Sequence, residues 1–359
     1  MSLTMKNLSR AWQRFTALIA IVLFAVPSAW SATPNVIRVA APDLSAGAKP
    51  AYAGQVDVLY TRHLLEDEFA KDGIRVEWSF FKGAGPAINE AFANQQLDFA
   101  FLGDLPPIVG RAGGLDTRVL LALARGAEAY LAVTPQSGIK TLADLKGKRV
   151  GLLRGTADQL SFAEALASAG LGERDLRVIN LDFNAVNAAF AAGQIDATWA
   201  TGRLLALRDR GLAKIPLGSR DLGGAGALQG AFIGAHAFTE ANPQLTVRVV
   251  KAVLRASQWL SQESNRQAQV ALFAGQASYP VAVVDESLRG AQLDFFYSPL
   301  LDRYYLDGLR RKVTLARQLG LTRKTFDVDQ WVDARYLQQA LQELGWQQQW
   351  KPAEQYVSR

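Results

Sequence analysis

The sequence predicts an α/β fold of two lobes, each built as a mixed sheet flanked by helices. From Asn35 onward, short β-branched or aliphatic runs alternate with segments of helical period, which is the pattern of βα units. A break at residues 134–138 precedes a second set of such units. The glycine-rich run at residues 224–235 is interpreted as the chain crossing back. A chain that leaves one lobe and returns joins the two by two segments, with a cleft between them.

The elements of the first lobe follow in order from residue 36. Five strands are predicted at the sequences VIRVAAP, IRVEWSFF, LDFAFLG, VLLALA and AYLAVT. One helix is predicted over residues 55–71, and another begins at Pro86, a residue that suits the first helical turn, and runs to Asn94. The glycine loop KGAG precedes this second helix.

The second lobe is predicted to repeat this plan. Its strands are KRVGLLRGT, LRVINLD and IDATWA, and its helices cover residues 157–169 and 184–192. Beyond Asn242 the periodicity is helical only, to Leu344. The predicted boundaries assign residues 33–133 and 229–359 to lobe I and residues 134–228 to lobe II. The hinge is expected at residues 131–135 and 226–234.

The first 32 residues are interpreted as a cleavable signal peptide. Lys6, Arg10 and Arg14 form a cationic start, and a predominantly apolar run follows from Phe15 to Val26. Twelve residues are too few to span a bilayer as a helix, which needs about 20. Small residues near Ala32 suit a cleavage site, so the mature chain is expected in the periplasm.

Composition narrows the classes of function. The chain has no cysteine, which excludes thiolate nucleophiles. With two histidines, it has few side chains from which a zinc site or a Ser-His-acid triad could be built. The formal charge of +6 falls to +3 when the three cationic residues of the signal peptide are removed. No basic cluster is interleaved with aromatics, so no nucleic-acid partner is expected. We therefore expect neither catalysis nor a cofactor nor a metal.

Three segments carry a resemblance to a known family. They are AGPAINEAFANQQLDFAFLGDLPPIVGRAGG (residues 84–114), IKTLADLKGKRVGLLRGT (residues 139–156) and AAFAAGQIDATW (residues 188–199). The chain resembles the periplasmic substrate-binding proteins of ABC importers for alkanesulfonates, taurine and nitrate, and is most similar to the alkanesulfonate members. With the signal peptide and the C-terminal helices, the similarity covers nearly the whole mature chain.

The resemblance implies a type II periplasmic binding protein that has no catalytic activity of its own and closes two lobes on a ligand.

 It implies capture of a small organosulfur anion, an aliphatic sulfonate or a sulfate ester, and delivery to the membrane permease of an ABC importer. Such a protein works as a monomer and carries no cofactor. The alternative is the same scaffold serving nitrate or a pyrimidine precursor of thiamine. A regulatory module is disfavoured because no DNA-binding helix-turn-helix precedes Asn35.

One departure from the family pattern concerns the wall of the cleft. In the family, the counterpart of IDATW is followed by an acidic residue, a proline and aromatics that face the cleft. Here Trp199 is followed by Ala200, Thr201, Gly202 and Arg203. The wall that contacts the ligand's organic tail is therefore expected to differ.

Two glycine loops are the first candidates for the binding site. Gly83 and Gly85 precede the helix that opens at Pro86, and Gly155 and Thr156 precede the next lobe's first helix. Helix N-termini offer unpaired N–H groups and the positive end of the dipole to an anion. A glycine before a helix is more often simple turn chemistry. The matching placement of the two glycine loops in both lobes favours a role in ligand binding. Thr156 is also expected to cap its helix.

Other candidates follow predicted strands at the edge where a cleft would lie. Arg125 and Arg154 can each pair with an anionic head, although a surface role is equally compatible with the sequence. Asp104 in the GDLPP turn is expected to cap the next helix or to accept a ligand donor, with the cap favoured. Trp199 is expected either to stack on the ligand's tail or to lie in the core. The remaining candidates are Ser45, Gly47 and Gly103.

Overall fold

The computed structural model describes residues 34–355, and from Asn35 onward the chain packs as one compact unit. The predicted signal peptide, at residues 1–32, lies outside the described residues. Within the described part of the chain, no helix is both long and apolar enough to cross a membrane.

The first sheet has five strands in the order β2-β1-β3-β10-β4. β1 is parallel to β2 and β3, whereas β10 is antiparallel to β3 and β4, so the sheet is mixed. Its strands are β1 (Val36–Pro42), β2 (Arg75–Phe81), β3 (Phe99–Gly103), β4 (Thr117–Ala127) and β10 (Leu228–Ala235). We call the part of the chain built around this sheet lobe I.

The second sheet repeats the arrangement in the order β7-β6-β8-β5-β9. β6 is parallel to β7 and β8, and β5 is antiparallel to β8 and β9. Its strands are β5 (Ala129–Val133), β6 (Arg149–Leu152), β7 (Arg177–Asn180), β8 (Ala197–Thr201) and β9 (Lys214–Gly218). We call the part built around this sheet lobe II. Two mixed sheets flanked by helices confirm the predicted fold class.

The crossovers differ in position from those expected. β5 was assigned to lobe I, but it lies inside the second sheet, where Leu131 pairs with Trp199 of β8. The first crossover is therefore at Glu128, between β4 and β5, and the second covers residues 219–227. The sequence analysis also missed β9. It contains Pro216, which an edge strand tolerates because one side of its backbone needs no partner.

The helices fall into three groups. Those of the first lobe are α1 (Gln55–Thr61), α2 (Leu64–Phe69), α3 (Ala84–Ala93) and α4 (Leu105–Gly113). Those of the second lobe are α5 (Ala157–Ser168), α6 (Phe183–Ala191) and α7 (Leu205–Asp209). The C-terminal group, which follows β10, comprises α8 (His236–Ala241), α9 (Pro243–Ser261), α10 (Arg266–Ala277), α11 (Val281–Leu288), α12 (Leu293–Phe296), α13 (Arg303–Gln318), α14 (Val328–Trp331) and α15 (Arg335–Leu344).

The helix predicted over residues 55–71 is interrupted. His63 has φ 53, in the left-handed region, and separates α1 from α2. A left-handed residue cannot continue a right-handed helix, so the chain bends there and His63 is exposed.

Alternation along the strands of the first sheet gives it two packed faces. Phe99 and Phe101 of β3 point into one cluster of buried side chains, whereas Ala100 and Leu102 point into another. The first cluster includes Val253 of α9, so the long C-terminal helix covers that face. Successive strand residues face opposite sides of a sheet, which explains the division.

A buried ion pair joins β4 to the start of α13. Arg125 and Asp302 side chains are 0% and 5% exposed, and Arg125 Nη2 lies 2.7 Å from Asp302 Oδ2. Asp302 also accepts hydrogen bonds from the backbone N–H groups of Tyr305 and Ala353. Removing one member of such a pair leaves a charge without its partner in a medium that solvates it poorly.

Asp302→Asn is therefore expected to lower the free energy of unfolding by about 3–5 kcal/mol, since the amide keeps the size of the side chain but removes its charge and replaces one acceptor oxygen with a donor. Asp307→Asn is the matched control on the same helix, because Asp307 is 39% exposed and pairs with Arg310 at the surface. This control should cost under about 1 kcal/mol. Urea unfolding of both variants measures the difference, and equal losses would contradict a buried role for the pair.

Asp57 of α1 is a second buried charge, and it organises the segment before its helix. Its Oδ1 accepts the backbone N–H of Tyr52 at 2.9 Å. Burial raises the pKa of the Asp57 carboxyl to about 6, although hydrogen bonds from the Tyr52 and Ala53 backbones oppose the shift and nearby Asp43 adds to it. A folded-state pKa above the unfolded value of about 3.9 stabilises the fold at low pH, and this contribution is lost as the pH rises through about 6.

Asp57→Asn should therefore stabilise the protein at pH 8 by up to about 3 kcal/mol and leave stability almost unchanged at pH 4. Chemical unfolding at the two pH values measures this. Asp67→Asn, at an exposed position of α2, is the control and should change stability by under about 0.5 kcal/mol at both. A gain of the same size at pH 4 and pH 8 would show that ionisation of Asp57 is not its cause.

Candidate functional site

A cavity of about 290 Å³ lies between the two lobes. Its walls include Pro42 and Gly103, the last residues of the parallel strands β1 and β3, and Thr201, the last residue of β8. Ligands of α/β proteins bind outside the carboxyl ends of the strands, where helices begin. The topology therefore directs both sheets toward the same cavity.

Two helices begin at this cavity, one from each lobe. Ala84 and Gly85 at the start of α3 line it, as do Ala157 and Asp158 at the start of α5. The first turn of a helix presents backbone N–H groups that have no partner within the helix, together with the positive end of the dipole. Ala84 has φ 51, a left-handed conformation that is costly for a residue other than glycine. The chain therefore enters α3 through a left-handed residue that itself lines the cavity.

The two glycine loops predicted to converge do meet. A Cβ atom placed on Gly155 would lie 2.9 Å from Pro86 Cγ, and one placed on Gly103 would lie 2.4 Å from Ala157 Cβ. Each contact joins lobe I to lobe II. Both distances are shorter than carbon atoms tolerate, so only glycine permits this approach. Gly155 also has φ +76, which favours glycine for a second reason.

Three of the predicted site residues line the cavity: Gly85, Gly103 and Thr156. The expected cap at Thr156 is wrong, because its Oγ1 donates to Leu153 O at 2.7 Å and makes no cap hydrogen bond. Gly83 and Gly155 flank lining residues without lining the cavity themselves. The N–H of Gly155 donates to Gln159 Oε1 at 2.7 Å, which fixes the loop.

Asp104 and Arg125, two further candidates, lie outside the cavity wall and have buried partners. Asp104 is 1% exposed and lies 2.8 Å from Lys312 Nζ, while making no cap hydrogen bond, so the favoured cap is also wrong. The physical reason is that a buried Lys312 ammonium without a counter-charge would cost more free energy than a helix start without a side-chain cap. Arg125 is held by Asp302, as described above.

The other candidates are also placed away from the main wall. Arg154 is half exposed and lies 3.4 Å from Glu173. Trp199 is 1% exposed and its indole N–H donates to Ser161 Oγ at 2.7 Å, which places it in the core of lobe II. Ser45 Oγ donates to Gly47 O at 3.3 Å, and Gly47 packs closely against Ser278.

The sequence analysis missed the charged residues of the cavity wall. Arg203 lines the cavity together with Asp158 and Glu128, and it is the one cation among the described lining residues. Its Nη2 donates to Asp158 Oδ2 and its Nη1 to Thr201 Oγ1 at 3.2 Å. The guanidinium carbon lies 4.3 Å from the ring centroid of Phe183. The departure from the family pattern after Trp199 was the available signal, since Arg203 belongs to that departure.

Glu128, the other acidic lining residue, already has a counter-charge. Its Oε2 lies 3.0 Å from Arg220 Nε, and it accepts the Tyr130 hydroxyl at 3.1 Å. Burial raises the pKa of the Glu128 carboxyl, while Arg220 opposes the shift. The charges of the wall are therefore arranged as two ion pairs.

Aromatic side chains of the C-terminal group of helices and its connecting segments form an apolar part of the cavity wall. Phe273, Tyr279, Phe296 and Tyr297 all line the cavity, and Phe101 of β3 joins them. Burial raises the pKa of the Tyr279 and Tyr297 hydroxyls, so both stay neutral at physiological pH. The sequence analysis treated these helices as packing elements and so missed their contribution.

Helix α11 closes the cavity by contacting lobe II. Glu286 accepts Arg208 Nη1 and Nη2 at 2.5 and 2.7 Å, a bidentate pair between the lobes. A Cβ atom on Gly202 would lie 2.3 Å from Ser287 Cβ, so this contact also needs glycine. Arg220 Nη1 donates to Arg289 O at 3.1 Å. These contacts hold the lobes together in addition to the two crossovers.

Comparison with known proteins gives the family. The model of the family described as NMT1/THI5 like matches residues 69–266. A candidate aliphatic sulfonates-binding protein of Bacillus subtilis (strain 168) is 28% identical over 286 residues, which is 78% of this chain and 82% of the relative.

Solved structures give the same result. A candidate periplasmic sulfonate-binding protein SsuA of a sulfonate ABC transporter from Methylobacillus flagellatus KT is 30% identical, with a TM-score of 0.76 over 90% of this chain and all of that one. The alkanesulfonate-binding protein SsuA from Xanthomonas axonopodis pv. citri, solved bound to MOPS, is 25% identical, with a TM-score of 0.69 over 85% of this chain and all of that one.

The desulfurization enzyme DSZB is 17% identical, with a TM-score of 0.64 over 86% of this chain and 99% of its own, and so shares the fold alone. The family model covers more than half of the sequence, and the sulfonate-binding relatives match nearly all of the part that the structure describes. The chain belongs to the NMT1/THI5-like family.

Proposed function

We propose that this protein is the periplasmic solute-binding component of an ABC importer and that it captures an organosulfur anion, an aliphatic sulfonate or a sulfate ester. The observation that carries the proposal is a cavity with one polar corner and one apolar wall. The corner holds Arg203 and the starts of α3 and α5, and the wall holds Phe273 and Phe296.

An organosulfur anion matches both parts of this cavity. Its tetrahedral head is a permanent anion, which backbone N–H groups at helix starts and a guanidinium can bind. Its organic tail gains roughly 25 cal/mol for each Å² of apolar surface removed from water. The relatives with sulfonate-binding names and the structure holding MOPS, which is itself a propanesulfonate, support the same class of ligand.

The proposal includes delivery of the ligand to a membrane permease. The contact between α11 and lobe II through Glu286 and Arg208 is one that a hinge motion of the lobes would make and break, so lobe closure would give the permease a distinct surface to recognise. The proposal places the mature chain in the periplasm as a monomer, with the permease as its partner. It includes no catalysis, since the sequence has no cysteine to serve as a thiolate nucleophile.

Hexane-1-sulfonate and hexyl sulfate are expected to raise the melting temperature of the purified protein by several degrees, because a ligand that binds only the folded state adds about 2.7 kcal/mol of stability at 100 times its Kd. Thermal-shift measurements with nitrate and with 4-amino-5-hydroxymethyl-2-methylpyrimidine are the comparison. Calorimetric titration then supplies the affinities. A shift with either comparison compound and none with the organosulfur anions would replace the proposal with the alternative ligand class.

A further inference from the structure

We propose that Asp158 and Arg203 together select the charge of the ligand's head, so that the cavity accepts a tetrahedral monoanion and rejects a tetrahedral dianion of the same shape. The inference rests on the proposed function and deepens it. Sulfate esters and phosphate monoesters have nearly the same size and geometry, but a phosphate monoester carries a charge of about −1.5 to −2 at pH 7. Shape alone therefore separates the two poorly.

The pair is held firmly at the polar corner. The Asp158 and Arg203 side chains are 8% and 14% exposed, and both line the cavity. Arg203 is fixed by Asp158, by the Thr201 hydroxyl and by the ring of Phe183. Asp158 lies in the first turn of α5, where the helix dipole favours a negative charge. An incoming anion therefore meets a guanidinium that already has a carboxylate beside it.

The charges at this corner balance for one added negative charge. The Asp158–Arg203 pair sums to zero, and the starts of α3 and α5 each contribute the equivalent of about +0.5. The start of α6 adds little, because Asp182 already accepts its N–H groups at Asn184 and Ala185. A monoanion is thus compensated, whereas a dianion leaves about one uncompensated charge next to Asp158. Unpaired like charge is a common basis of discrimination between partners.

Among the described residues, the remaining titratable groups around the corner supply no positive charge that would compensate a dianion. Glu128 is paired with Arg220. Burial raises the pKa of the hydroxyls of Tyr52 and Tyr279, which keeps both neutral. Asp43, whose Oδ1 accepts the backbone N–H groups of Ser45 and Ala51, is a further acidic group and also disfavours a dianion. Asp158 is the acidic group that contacts the Arg203 guanidinium. The selection therefore depends on Asp158.

The test compares hexyl sulfate with hexyl phosphate by calorimetric titration at pH 8, where the phosphate, with a second pKa near 6, is a dianion. The protein should bind hexyl sulfate at least 30-fold more tightly than hexyl phosphate. Asp158→Asn should reduce that ratio about tenfold, mainly by strengthening binding of the phosphate. In the unchanged protein the ratio should also fall at pH 5, where the phosphate is a monoanion.

Two further variants keep the test decisive. Asp144→Asn removes an exposed carboxylate of lobe II that caps the turn at Lys140 and Thr141, so it controls for net charge and should leave the ratio unchanged. Asp158→Ser repeats the charge removal with a smaller side chain, in case the amide disturbs Arg203. Thermal unfolding without ligand confirms that each variant is folded.

The outcomes separate the two proposals. If the unchanged protein binds neither hexyl sulfate nor hexane-1-sulfonate, the proposed function is overturned, whereas binding of hexyl sulfate supports it. If hexyl sulfate binds but the ratio is near one, or if neither Asp158 variant lowers the ratio more than Asp144→Asn does, the charge selection is overturned while the proposed function stands.

Discussion

The close approach of the two lobes at their glycine contacts is the constraint on which the site depends. Gly155 against Pro86 and Gly103 against Ala157 bring the starts of α3 and α5 to one cavity. Neither helix start is a specific anion site alone, since each offers only a partial positive charge. Together, the dipoles of the two helix starts supply the equivalent of roughly one positive charge. A side chain at either glycine would separate the two helix starts.

The charges of the protein divide into those that hold the fold and those that face the cavity. Arg125 with Asp302 and Lys312 with Asp104 are buried pairs within lobe I, and their members are not available to a ligand. The Arg203–Asp158 pair differs because it lines the cavity. Burial with a protein partner is costly to disturb, whereas a pair at a cavity wall can contact a ligand while it stays paired.

Much of the fold could be predicted from the sequence, because strand and helix periodicity are local properties. The strands β1 to β8 were located, although β5 was assigned to the wrong lobe and the segment of β10 was interpreted as the chain crossing back, and the loops at Gly83 and Gly155 were expected to converge. The partners of the candidate arginines could not be predicted from the sequence, because Arg125 and Asp302 are 177 residues apart and no periodicity links them. Arg125 and Arg203 both stand at the end of a strand region, yet only the packing shows that Arg203 reaches the cavity.

In the proposed mode of binding, the head and the tail of the ligand contact different parts of the chain. The starts of α3 and α5 and Arg203 form the polar corner, whereas the aromatic wall comes from residues 273–297 of the C-terminal group. Helix α11 belongs to the second set and also contacts lobe II through Glu286 and Arg208. A tail too large for the wall would therefore displace α11 and weaken closure, even with its head correctly bound. Head charge and tail volume are thus separate requirements, and closure requires both.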